Sequence, residues 1–72
     1  MIIVQSPLKR DYIIELLDGK TIDGFTFKFE KRDDMKLYFS HNGDAEEAAS
    51  VAKKTVKTSE FGPALYFRVL HE

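Results

Sequence analysis

The stretch DAEEAASVAKKTVK, Asp44 to Lys57, constrains the fold most, because no other part of the chain reads so clearly as a helix. Alanine and valine recur at 45, 48, 49, 52 and 56, the 3.6-residue period of a helix with one buried stripe. Asp44 is placed to cap the free amides of the first turn, with Glu47 three residues on to complete a capping box. Glu46 and Glu47 sit at the positive end of the helix dipole, and Lys53, Lys54 and Lys57 at the negative end. A stripe made mostly of alanine lets the helix lie close to its cover, so the covering side chains must be large. The phenylalanines elsewhere in the chain meet that need.

With 72 residues, the sequence has room for one domain, residues 1–72. A chain of this size buries only about 60% of its unfolded surface, so most of its large apolar residues are needed for stability. There is no cysteine, which removes disulfides and thiolate metal sites and suits a reducing compartment. The opening MIIVQSPLKR has an apolar run too short for a signal peptide or a membrane span, and a cytoplasmic location is expected. Lysine and arginine number 11 against 12 acidic residues, a formal net charge of -1, so a dominant nucleic-acid footprint is not expected.

Strand patterns surround the helix. Ile2 to Gln5 reads as a short edge strand ended by Ser6-Pro7, and Tyr12 to Leu17 as a strand apolar on both faces. Asp18-Gly19 offers a tight hairpin turn. Thr21 to Glu30 follows as one strand, with a bulge near Asp23-Gly24 to bring Ile22 into phase with Phe25, Phe27 and Phe29. Lys31 to Asp34 turns the chain and Met35 to His41 returns it. Setting Phe29 against Met35 places Phe27 opposite Leu37, Phe25 opposite Phe39, Thr26 opposite Tyr38 and Lys28 opposite Lys36. After the helix, Ala64 to Leu70 forms the last strand. The expected fold class is therefore α+β in two layers: one antiparallel or mixed sheet of four or five strands with a single helix on one face, ordered β-β-β-α-β after the short N-terminal strand.

One helix covers one face of such a sheet. The uncovered face is expected to carry Lys28, Lys36, Tyr38, Tyr66, Arg68 and Leu70. Its tyrosines among basic groups fit a protein-interaction surface, most simply a homodimer; the alternative is weak binding of single-stranded nucleic acid by stacking and charge. Lys28 opposite Lys36 is unfavourable unless acids or a partner offset it.

Other chemistry finds little support. His41 and His71 lack the spacing of a zinc site and read as unrelated surface residues. Ser40 and Ser50 have no base and orienting acid placed around them. Asn42-Gly43 before the helix lacks the remaining glycines and the lysine of a phosphate loop, and Asp44, Glu46 and Glu47 repel phosphate there. The expectation is a non-enzymatic module with no metal or cofactor and no membrane contact. Ile13 to Phe25, IIELLDGKTIDGF, is similar to the strand, Asp-Gly turn and glycine-interrupted strand of Sm-like RNA-binding proteins. The likeness stops there: the helix follows the third strand instead of preceding the strands, and the second glycine motif is missing. No family is assigned from it.

Overall fold

The computed structural model describes residues 1–71. Strand β1 (Ile2–Gln5) leads into helix α1 (Arg10–Leu17), and a small hairpin of β2 (Thr21–Ile22) and β3 (Phe25–Thr26) follows. Then come β4 (Lys28–Asp33), β5 (Lys36–Ser40), helix α2 (Ala45–Lys57), a 3₁₀ turn at Gly62–Ala64 and β6 (Arg68–His71). The main sheet has the order β4-β5-β1-β6, and every neighbouring pair is antiparallel. The α+β class stands: a four-stranded antiparallel sheet with helices packed on it, plus a second two-stranded sheet.

Since β1 and β4 both run antiparallel to β5, they are parallel to each other with β5 between them; β5 and β6 flank β1 in the same way. The units β1-α1-β4 and β5-α2-β6 are thus two interleaved β-α-β crossovers. This is the split β-α-β arrangement of ferredoxin-like topologies, with the β2–β3 hairpin inserted after α1.

The core explains the order. Ile2 and Val4 point to the helix side with Leu37 and Phe39, their partners on β5, and all four are fully buried. Ala48, Ala49, Ala52 and Val56 of α2, Ile13 and Leu17 of α1, and Phe27 complete the same cluster. The alanine stripe does lie under large side chains, as the helix pattern requires. Asp44 accepts a hydrogen bond from the Glu47 amide at 2.9 Å and caps α2. Beyond α2, Gly62 is buried where any Cβ would collide with the carbonyls of Val56 and Lys57, so only glycine lets the chain turn back there.

Several elements differ from the sequence expectation. Tyr12 to Leu17 is not a strand: Ile13 and Leu17, one helical turn apart, are buried together, while Glu15 between them is exposed. Apolar residues at 12, 13, 14, 16 and 17 fit both periods, and burial against α2 and β4 decides for the helix. Ile2–Gln5 is not an edge strand; it lies between β5 and β6. Asp18-Gly19 does not turn a hairpin but ends α1, and Asp23-Gly24 makes the tight turn instead, with φ of 50° and 85°. The residues 21–30 are therefore three strands, not one. The Sm-like likeness lapses with them, since its first strand is helical.

The β4–β5 register moves as well. Phe29 faces Phe39, not Met35, because the turn has shrunk to Asp34-Met35 with Asp34 at φ 58°. A bulge between Phe29 and Lys31 then sets Lys31 against Tyr38 and Asp33 against Lys36. The last strand starts at Arg68, later than Ala64, because Gly62–Ala64 is a 3₁₀ turn.

A central β1 makes Ile2 a core anchor. Replacing Ile2 with Ala should cost about 2–5 kcal/mol in urea unfolding. A loss below about 1 kcal/mol, within the range of ordinary surface changes, would contradict the central placement.

Candidate functional site

Alternation along the strands sends one set of side chains away from both helices. On β1 these are Ile3 and Gln5, on β5 Lys36, Tyr38 and Ser40, on β6 Arg68 and Leu70, and on β4 Lys28, Lys31 and Asp33. The register arranges them in rows. Lys31, Tyr38, Ile3 and Leu70 form one row across the sheet; Asp33, Lys36, Gln5 and Arg68 form the next. Among the described residues, the helices, the β2–β3 hairpin residues Ile22 and Phe25, and the loop residues Leu65 and Phe67 all pack on the core side, leaving this outer face open.

From Tyr38 to Leu70 the middle row is apolar although no element covers it. Ile3 is only 9% exposed, with Tyr38 and Leu70 directly across from it on the two neighbouring strands, while Leu70 stays 37% exposed. Lys31 places its Nζ 4.7 Å from the centre of the Tyr38 ring, a contact worth roughly 0.5–1 kcal/mol at an exposed site. Cations surround the row: Lys28, Lys31, Lys36 and Arg68. Acids are fewer there, namely Asp33 opposite Lys36 and Glu30 at the bulge, where its carboxylate accepts from Ser40 Oγ at 2.7 Å.

The structure thus brings Lys28, Lys36, Tyr38, Arg68 and Leu70 onto one face, as the sequence reading placed them. Tyr66 lies outside the strands, just before β6, and is 91% exposed. The opposition of Lys28 and Lys36 does not occur. Lys28 pairs with Ser40, and Lys36 faces Asp33 on one side and Gln5 on the other. Ile3, Gln5, Lys31, Asp33 and Ser40 are the members that sequence reasoning did not name on this face. A run of apolar β-branched residues at Ile2–Val4 is the signal of a strand covered on both faces, and it was available for Ile3.

At the Gln5 end of the face lies a hollow of about 530 Å³, lined by Gln5, Pro7, Met35, Tyr66, Phe67 and Arg68. Its single charged group is the Arg68 guanidinium, and the Tyr66 hydroxyl and the Gln5 amide are its other polar side-chain groups. The Asn42-Gly43 corner has a structural role: Asn42 Oδ1 accepts from the Thr26 amide at 2.6 Å and its Nδ2 donates to the Gly24 carbonyl at 3.2 Å. That side chain ties the small hairpin to the start of α2.

The histidines stand apart. His71 aligns with Ile2 and Phe39, whereas His41 follows the end of β5, two strands away or about 10 Å across the sheet. Among the described residues, no three His, Cys, Asp or Glu side chains gather in one place. His41 is not the plain surface residue its position at a strand end suggests: both ring nitrogens are buried and have no hydrogen-bond partner. No protein-family model, curated protein or solved structure matches this chain.

An orphaned buried polar group costs stability, and an apolar side chain of similar size removes that cost. His41→Leu should therefore stabilise the fold by about 1 kcal/mol, raising the melting temperature by roughly 4–8 °C for a domain of this size. A lower melting temperature would show that the imidazole is bonded after all.

Proposed function

We propose that this chain is a non-enzymatic interaction module. It contacts another protein, most simply a second copy of itself, through the outer sheet face and the β6 edge that borders it. The observation that carries this reading is the run of Tyr38, Ile3 and Leu70 across β5, β1 and β6, an apolar band over three of the four strands on a face that no described element covers. Leu70 is 37% exposed beside a half-buried Tyr38 and a buried Ile3, and apolar side chains grouped on an uncovered face favour an interaction site. Tyrosine and arginine, here Tyr38, Tyr66 and Arg68, are the residues in which interfaces concentrate their energy. The hollow beside the face supports binding over catalysis, since Arg68 is the only charged group in it. Metal and cofactor have no part in the proposal. A cysteine-free chain fits the reducing cytoplasm, and no helix among the described residues is long and apolar enough to cross a membrane.

A second reading rests on charge. Lys28, Lys31, Lys36 and Arg68 outnumber Asp33 and Glu30 on the outer face, so the face is basic although the chain is slightly acidic. That favours weak binding of single-stranded nucleic acid. Stacking is the weaker half of this reading, because Tyr38 is the one aromatic side chain in the outer rows and Ile3 occupies the matching place on β1.

Sedimentation from low to high micromolar protein separates the two. The interaction reading in its homodimer form predicts a mass that rises with concentration. A monomer throughout would remove the homodimer form. Titration of a labelled mixed-sequence single strand at low salt tests the alternative; no binding at micromolar protein would remove it, and salt-sensitive binding lost in Lys31→Glu would favour it.

A further inference from the structure

We infer that the second copy docks edge to edge: β6 pairs antiparallel with β6 of another molecule around Leu70, joining two four-stranded sheets into one of eight strands. The inference rests on the interaction reading above and specifies its partner and geometry.

The two edges of the sheet are built differently. On β4, every residue but Phe29 is charged, and a bulge at Glu30 breaks the ladder. These are the devices by which proteins keep an edge strand from recruiting another strand. On the opposite edge, β6 is only four residues long and carries one charged side chain, Arg68, but it has no bulge and no proline, and Val69-Leu70 stands at its centre. Its outer side is hydrogen-bonded to no other described element. The β6 edge is the less protected of the two.

Charge rules out the competing self-contact. Packing one outer face on another sets Lys28, Lys31, Lys36 and Arg68 against the same four groups, with only Asp33 and Glu30 to offset them. Desolvating such a pair of basic faces is unfavourable. Edge pairing leaves those cations in water.

Strand geometry then fixes the register. In an antiparallel pair, residues directly opposite share a face, so a two-fold axis between identical strands passes through a residue and not between two. Within Arg68–His71, the central choices are Val69 and Leu70. Centring on Val69 sets Arg68 against Leu70 of the copy. Centring on Leu70 sets leucine against leucine and continues the outer row as Tyr38–Ile3–Leu70–Leu70–Ile3–Tyr38 across both molecules. Only the second covers the exposed side of Leu70 with an apolar partner. It also doubles the length of the apolar band without burying a charge.

The absence of native cysteine makes the geometry directly readable. Leu70→Cys places one thiol at the two-fold axis, and Lys28→Cys places one on the protected edge. Mild oxidation should yield a covalent dimer from Leu70→Cys and little from Lys28→Cys at equal concentration. As a second variant, Leu70→Lys puts like charges opposite each other and should weaken dimerisation at least about tenfold, while circular dichroism shows the fold retained. A wild-type dimer with no preferential cross-linking at Leu70, undisturbed by Leu70→Lys, would overturn the edge pairing and leave the interaction reading intact. A monomer at every concentration would overturn the pairing too, and would leave that reading dependent on a different partner protein.

Discussion

Burial of Ile2, Ile3 and Val4 on both faces of one short strand is the constraint from which the rest of the structure follows. Ile2 and Val4 complete the core beneath α2 on one side, and Ile3 seats Tyr38 and Leu70 on the other. A strand that is apolar on both faces belongs inside a sheet. Once β1 is central, β5 and β6 must flank it, and the connections on either side must cross over. Helix α2 spans from β5 to β6 and α1 carries the chain away from β1 toward β4. Both helices then lie on the core side, which leaves the opposite face open.

The open face is consequently a by-product of topology, but its side chains are not those of a plain solvated face. The middle row is apolar from Tyr38 to Leu70, with Lys31 lying over Tyr38 and with Ile3 between Tyr38 and Leu70. The flanking rows are polar and mostly basic. The proposed interaction rests on this band and its charged border. The unequal edges add a direction: β4 is bulged and charged, while β6 ends the sheet with Val69-Leu70.

Local pattern made α2 legible, because its cap, its dipole charges and its alanine stripe all point to one structure. The β5 strand and the outer placement of Lys36, Tyr38, Arg68 and Leu70 were legible for a different reason: alternation fixes the face of a side chain even when the register is wrong. Helix α1 was not legible. Its apolar residues satisfy either period, and its start carries no side-chain cap, with Lys9 held at φ 57°. The two Asp-Gly pairs are locally interchangeable, and only the surrounding fold makes one a helix end and the other a hairpin turn. The register of β4 depended on a two-residue turn and a bulge that no composition signal marks. The rank of β1 in the sheet is a matter of long-range pairing, which a four-residue segment cannot reveal except through being apolar on both sides. Missing it hid Ile3, the centre of the candidate site.

Amide hydrogen exchange of β1 tests the central claim most directly. In a central strand, successive N–H groups donate alternately to the two neighbours, so all are protected; in an edge strand every second one faces water. The amides of Ile3, Val4 and Gln5 should therefore all exchange slowly, at rates that track global unfolding. Fast exchange at alternate β1 amides, with protection confined to the others, would place β1 at an edge and contradict the account.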